Sequence, residues 1–186
     1  PQDRDGKWLS FGAAKPGGSA SVGITEKAVV ICRLLVGTLQ VITYNLETAH
    51  ISSWKVEGAR GRPSLAPNGK GGLTLGWLDP AESSIVRLQQ LDSFGKRIGE
   101  PFFVDLGRSV SQHLILMSIR EERSVAIWSE SEVGLSGDGG SSVKYCELSV
   151  SQQTRALTCT VGIAVANGMF PGVFAAACAL DSCWLL

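Results

Sequence analysis

The 186-residue sequence has no excess of either charge, with 17 Lys and Arg residues against 17 Asp and Glu residues. This balance argues against a broad surface for nucleic acid or an anionic membrane, because such surfaces need a positive field. Only two histidines occur, His50 and His113, and there is no H-x-x-x-H motif. G-x-S-x-G and Walker motifs are also missing, so the sequence shows no nucleophile elbow and no phosphate loop.

The five cysteines form no C-x-x-C pair and no cluster with histidine at zinc-ligand spacing. No metal site and no cofactor are therefore predicted. Because the number is odd, at least one cysteine is unpaired within the chain. Cys178 and Cys183 are close enough in sequence for a short disulfide loop, but burial as small hydrophobic residues in strands is the simpler interpretation for the whole set. The five are Cys32, Cys146, Cys159, Cys178 and Cys183.

Long apolar runs and helical patterns are also lacking. The most apolar stretch, residues 161–186, is interrupted by Asn167-Gly168, Pro171 and Asp181, whereas a membrane-spanning helix needs roughly 20 apolar residues in succession. No segment longer than about twelve residues keeps a helical apolar stripe without glycine or proline. Short β-branched and aromatic runs bounded by turn residues are frequent, which is typical of strands. We therefore predict an all-β chain without a membrane span.

The chain repeats itself with a period of about 45–50 residues. One unit has candidate strands at residues 62–66, 72–78, 84–92 and 94–104. A backward shift of about 45 residues aligns Glu47 with Asp92, and a forward shift aligns Trp128 with Trp77. The forward unit has candidate strands at residues 110–116, 123–129, 143–149 and 157–161. The predicted units are 17–60, 61–107 and 108–165, with partial units at 1–16 and 166–186.

Four short strands in a unit of this length are typical of a β-propeller blade. One four-stranded sheet buries little by itself, but sheets stacked around an axis bury both faces against their neighbours. Such burial would explain why residues 73–78 and 125–128 are more apolar than simple alternation predicts. Trp77 and Trp128 would then lie between blades. The predicted fold is an all-β, propeller-like array of about four blades, or a partial propeller completed by another chain.

The middle unit resembles the degenerate repeats of bacterial and secreted β-propellers. Pro63-Ser-Leu, the strand ending in Trp77, and Asp92 followed by Gly95 match the motif P-s-v, then v-v-W, then l-D-x-x-G. The third unit matches less closely, and the first lacks both the tryptophan and the D-x-x-G turn. This resemblance implies a fold and no particular activity.

One glycine-rich loop carries a second resemblance. Residues 136–143 look like the Asp-box of sialidase-type propellers, S-x-D-x-G-x-T-W, with Ser142 and Val143 in place of Thr and Trp. The resemblance implies a structural hairpin turn in which Asp138 accepts hydrogen bonds from turn amides. In sialidases the box joins the third and fourth strands of a blade, whereas the repeat places this loop between the second and third. A flexible Gly/Ser loop is therefore the alternative.

We predict a non-catalytic binding or assembly module that presents loops on a propeller scaffold, with its working surface at segments 78–84 and 129–142. The basic loop of Arg60 and Arg62 could contact an anionic ligand. Expected partners are another protein chain or a second copy, with carbohydrate also possible and nucleic acid excluded. The candidate binding residues are Asp79, Glu82, Arg60, Arg62 and Asp138.

Two alternatives stay open. A carbohydrate-binding or sialidase-like glycoside hydrolase would need paired carboxylates and several arginines on one substrate carboxylate. Arg33, Arg87 and Arg120 fall in or near strands, but nothing in the sequence brings them together. A subunit of a larger complex would instead bury its missing blade surface against another chain. The chain begins with Pro1 and not Met, which favours a processed or secreted protein and leaves the compartment open.

Overall fold

The computed structural model describes residues 19–79, 81, 85–105, 110–120, 123–132, 140–150, 157–168, 176–179 and 182–185. Within these ranges every regular element is a β-strand, which confirms the predicted all-β class. No helix in the same ranges has the length and apolarity that crossing a membrane requires. The partial unit predicted at residues 1–16 lies outside the described residues.

Three four-stranded antiparallel sheets follow one another along the chain, each with its strands in sequence order. The first sheet contains β1 (Ser19–Ile24), β2 (Ala28–Leu35), β3 (Thr38–Asn45) and β4 (Ile51–Glu57). The second contains β5 (Arg60–Pro67), β6 (Leu73–Leu78), β7 (Ile85–Leu91) and β8 (Arg97–Asp105). The third contains β9 (Val110–Arg120), β10 (Arg123–Glu132), β11 (Gly140–Val150) and β12 (Leu157–Gly168). A hairpin follows, made of β13 (Ala176–Ala179) and β14 (Ser182–Leu185).

The turns after the third strands show which residues of the first two sheets correspond. The Asn45 amide donates to the carbonyl of His50, and the Asp92 amide donates in the same way to Lys96. Asn45 is therefore the counterpart of Asp92, and the sequence alignment of Glu47 with Asp92 was wrong. The connection between β2 and β3 is shorter than the one between β6 and β7, so no single shift aligns the strands on both sides of it.

The second sheet buries both of its faces. Every position of β6 is buried, as its continuous apolar sequence predicted. Its two faces belong to two separate apolar clusters, one shared with the first sheet and one with the third. The cluster shared with the first sheet contains Leu73, Leu75, Trp77 and Leu91. The cluster shared with the third sheet contains Ala66, Leu78, Val86 and Leu88.

The two tryptophans of the repeat lie in the second strands of their sheets. Trp77 lies opposite Arg87 in the second sheet, and Trp128 lies opposite Leu114 and Lys144 in the third. The Trp77 indole is 3% exposed in the seam between the first and second sheets. The Trp128 side chain lies outside the described residues, so the predicted match between the two seams stays a prediction.

Successive sheets meet along their first strands. β1 contacts β5, β5 contacts β9, and β9 contacts β13. The hydroxyl oxygen of Ser21 accepts the amide of Leu65 at 3.2 Å, and that of Ser64 accepts the amide of Leu116 at 2.9 Å. A serine hydroxyl thus links the first strands in the first two of these junctions, which fixes the stagger between the adjacent sheets.

Asp92 closes the turn between β7 and β8. Its side-chain oxygen Oδ1 accepts the amides of Phe94 and Lys96, each at 2.9 Å, and its carbonyl accepts the amide of Gly95. Gly95 has a φ of 74°, a left-handed conformation that glycine adopts without steric cost. The sequence D-x-x-G therefore encodes a tight hairpin turn that is closed by hydrogen bonds to Asp92.

This turn docks against the first sheet. A Cβ atom on Gly95 would come within 2.7 Å of Thr43 Cγ2 and 2.8 Å of Val30 Cγ2. The hydroxyl of Thr25 donates to the carbonyl of Ser93 at 2.6 Å, which ties the turn to the β1–β2 hairpin. Gly95 is consequently required twice, once for its backbone conformation and once for the close approach of the two sheets.

We expect Gly95→Ala to lower the free energy of unfolding by roughly 2–4 kcal/mol, because left-handed strain adds to the forced displacement of Thr43 and Val30. Gly71→Ala is the matched control, since Gly71 has a φ of 73° and no atom lies within 4 Å of the place that its Cβ would take. The control should lose only about 1 kcal/mol, the cost of the strain alone. Urea denaturation measures both. Equal losses would show that the turn does not pack tightly against the first sheet.

Candidate functional site

Arg60, Arg62 and Asp79 lie at one end of the second sheet. β5 begins there, and Arg60 pairs with Leu78, the last residue of β6 and the neighbour of Asp79. The tight turn between β2 and β3 lies at the corresponding end of the first sheet. We call this end the rim and define it by Val36, Arg60, Arg62, Asp79 and Arg87. The structure therefore brings three predicted binding residues to one end, while Glu82 and Asp138 lie outside the described residues.

The two arginines at the start of β5 occupy an irregular part of the strand. The register of β5 against β6 shifts between Arg60 and Ser64, and Gly61 has a φ of 69°. Both arginines are exposed, and the described residues provide neither of them with a hydrogen-bond or ion-pair partner. Bulges of this kind redirect side chains and are frequent next to functional sites. The bulge thus presents two uncompensated guanidinium groups at the rim.

Asp79 instead holds the loop that follows β6. Its carboxylate is buried, with the side chain 7% exposed, and it accepts Arg87 Nε at 2.7 Å. The other carboxylate oxygen accepts the amide of Ala81 at 2.9 Å, and the Asp79 amide donates to the carbonyl of Ile85. A buried charge needs such compensation, because desolvation of an unpaired carboxylate is costly. These contacts give Asp79 a structural role at the base of the loop.

Val36 is a rim residue that the sequence did not single out. It is fully exposed and has a φ of 46°, followed by Gly37 with a φ of 76°. Two successive positive φ values are the pattern of a type I′ hairpin turn, in which Asn, Asp or Gly is favoured at the first position. A β-branched residue is strained there. A Val-Gly pair between two strands gives no sequence signal of this strain, because a turn of another type would accept valine.

The arginines that a sialidase-like site would gather are engaged within their own sheets. Arg33 donates to the side-chain oxygen of Gln40 from Nε at 2.9 Å and from Nη2 at 2.8 Å. Arg87 is held by Asp79, and its guanidinium also lies 5.8 Å from the centroid of the exposed Phe103 ring. The Arg120 side chain lies outside the described residues. In the part of the chain that is described, no three His, Cys, Asp or Glu side chains group as potential metal ligands.

The cysteines take different states. Cys32 is free and buried, and desolvation raises the pKa of its thiol to about 12, although backbone hydrogen bonding at Ser21 opposes the shift. Cys32 therefore behaves as the small hydrophobic residue that was predicted. Cys146 is buried and disulfide-bonded, so the same interpretation was incomplete for it. Cys178 and Cys183 lie directly opposite each other in the final hairpin.

Comparisons of this chain with protein-family models, with curated proteins and with solved structures found no match. The function therefore has to be argued from the residues of the rim and from the way the sheets present them.

Removal of Arg87 should destabilise the fold, because Arg87→Ala leaves the Asp79 carboxylate buried without its ion pair. We expect a loss on the order of 2 kcal/mol in the free energy of unfolding, moderated by the partial exposure of Arg87. Arg60→Ala removes an exposed cation from the same rim and should change stability by less than about 0.5 kcal/mol. Thermal and urea unfolding of both variants check this. Similarly small losses of stability in the two variants would mean that water compensates the charge of the Asp79 carboxylate.

The Cys32 thiol should make the fold sensitive to alkali. Its pKa is raised to about 12 in the folded chain from an ordinary value of 9.0, so from about pH 9 upwards only the unfolded chain releases this proton. The contribution of the Cys32 thiol to the free energy of unfolding is therefore complete below pH 9 and is lost as the pH rises toward 12. We expect the wild type to lose more stability than Cys32→Ala between pH 8 and 11 in urea titrations. Parallel curves would contradict the burial of this thiol.

Proposed function

We propose that the chain is a non-catalytic binding module built on a β-propeller-like scaffold, with its sheets as successive blades. Three observations support the arrangement. Each first strand contacts the first strand of the next sheet. The second sheet buries both faces against its neighbours, as an internal blade does. The D-x-x-G turn fills the space between two sheets at their ends.

The observation that carries the functional proposal is the pair of arginines, Arg60 and Arg62, that have no partner among the described residues and lie on a bulge at the rim. Charged side chains left without partners on a rigid strand end are available to a ligand, whereas those in ion pairs are already occupied. In a propeller the first strand of each blade lies closest to the central axis. The start of β5 would therefore lie near that axis. A partner that spans several blades would contact this position.

The state of the carboxylates supports binding over glycoside hydrolysis. Hydrolysis needs two carboxyl groups on either side of a substrate, one of them positioned as an acid. Among the described residues Asp79 is the buried carboxylate, and Arg87 and the Ala81 amide occupy its oxygens. Arg33 and Arg87 are likewise committed to Gln40 and Asp79, which leaves Arg60 and Arg62 as the described rim cations open to a partner.

Native mass spectrometry of the chain purified from its own source tests the proposal. We expect the wild-type chain to be recovered with a further protein chain or a second copy. The double variant Arg60→Ala/Arg62→Ala should bind the associated chain with at least tenfold lower affinity. The reason is that two exposed cations together contribute about 1.4 kcal/mol or more when paired with an acidic surface. The variant should retain the unfolding midpoint of the wild type.

Lys70→Ala is the matched control for this experiment. Lys70 is an exposed cation in the turn between β5 and β6, at the opposite end of the second sheet. Its removal should leave the recovered partner unchanged. The proposal fails if the wild-type chain is a monomer with no associated chain, or if both variants retain the same partner in the same amount.

A further inference from the structure

We infer that the part of the rim that contains Val36, Arg60 and Arg62 binds an extended protein segment. This segment carries acidic side chains next to an apolar one. This inference rests on the proposed binding function and specifies the chemistry of the partner. It is carried by the strain and exposure of Val36 together with the uncompensated charge of the two arginines.

Val36 combines two unfavourable features that the fold itself does not explain. Its side chain is fully exposed, so it contributes no burial to the core. Its φ of 46° places a β-branched residue in the left-handed region, which is strained for any side chain that branches at Cβ. An exposed Asn or Gly would relieve this strain without loss of any contact. Such strain at an exposed site is a reason to look for a function that uses the side chain.

The turn that carries Val36 lies at the same end as the start of β5. Leu35 pairs with Thr38 around this turn, and Thr38 pairs with Glu57 at the end of β4. The chain then passes through Gly58 and the buried Ala59 directly to the exposed Arg60. β2 also contacts β5 across the seam between the two sheets. The apolar tip and the cationic bulge therefore lie at the same end of two adjacent sheets.

The two arginines favour an anionic partner. Arg87 compensates the charge of Asp79, whereas the Glu57 carboxylate, which accepts the hydroxyl of Thr38 at 2.7 Å, keeps its negative charge. Arg60 and Arg62 have no corresponding partner among the described residues. Guanidinium groups bind carboxylates and phosphates through paired hydrogen bonds. The chain as a whole carries no net charge, which is unlike a phosphate-backbone-binding protein, so we assign the anions to carboxylates of a protein segment.

The spacing of the arginines suits an extended segment. Arg60 and Arg62 are two residues apart in the bulged start of β5, so their Cα atoms are at most about 7 Å apart. Glutamates at a similar spacing on an extended peptide can meet both. An apolar residue beside them would lie on Val36, whose exposed methyl groups gain burial only in the complex.

The probe for this inference is the fluorescein-labelled synthetic peptide Glu-Gln-Glu-Gln-Leu, whose two glutamates and leucine share one face when it is extended, measured by fluorescence anisotropy against the full chain at low salt. We expect binding that is at least tenfold weaker for Arg60→Ala/Arg62→Ala. Peptides with Gln in place of Glu, or Ser in place of Leu, should also bind more weakly. A peptide with phosphoserine in place of Glu distinguishes phosphate recognition from carboxylate recognition.

Val36→Asn separates docking from a purely structural role. The variant should raise the unfolding midpoint, because Asn tolerates the left-handed turn, and it should weaken peptide binding several-fold because the apolar contact is lost. Ala49→Gly is the matched control, since Ala49 has a φ of 57° in an exposed turn at the opposite end of the first sheet. This control should also raise the midpoint and leave peptide binding unchanged.

The inference is overturned if the wild-type chain does not bind the acidic peptide, if the arginine variant binds it as well as the wild type, if Val36→Asn binds it equally, or if only the phosphoserine peptide binds. These outcomes differ from failure of the proposed function. If the arginine variant loses its associated chain in native mass spectrometry while the peptide results are negative, the module binds a partner of another chemistry. If no associated chain exists at all, the proposed function itself fails.

Discussion

The burial of both faces of a four-stranded sheet is the constraint on which the rest of this structure depends. A sheet with two apolar faces is stable only between two other apolar surfaces, since water on either face would cost about 25 cal/mol for each Å² left exposed. The second sheet meets this requirement through separate clusters on its two sides. Trp77 on one side and Leu88 on the other are each at most 3% exposed. Neighbouring sheets are therefore part of its fold, and the chain has to supply them in succession.

This constraint also decides where recognition can take place. With its faces occupied, the second sheet offers a partner only its outer strand and its ends. At the rim the described part of the chain leaves Arg60 and Arg62 without partners and keeps Val36 exposed in a strained turn. The buried carboxylate of Asp79, paired with Arg87, lies next to them and fixes the loop base. The proposed binding surface thus consists of groups that the fold does not need for its own stability.

The two turns after β3 and β7 show how the same constraint acts on sequence. Gly95 docks against the first sheet and cannot accept a Cβ atom. Ala49 holds a similar positive φ in the equivalent turn of the first sheet but is exposed. Packing therefore requires glycine in one turn, whereas the other turn holds alanine at the cost of conformational strain alone. This explains why the D-x-x-G motif is clear in the middle unit and degenerate in the first.

The sequence by itself determined the all-β class, the four-strand units and the position of the D-x-x-G turn. These features follow from the local spacing of apolar and turn residues, because strand and turn preferences act over only a few residues. It also identified Arg60, Arg62 and Asp79 as candidate binding residues, but not that they lie at one end of the second sheet. Only the tertiary structure decided that Asp79 is compensated while the described residues leave the two arginines uncompensated, that Asn45 corresponds to Asp92, and that Val36 is strained. Ion pairing, register and turn type depend on contacts between distant residues, which spacing along the chain does not encode.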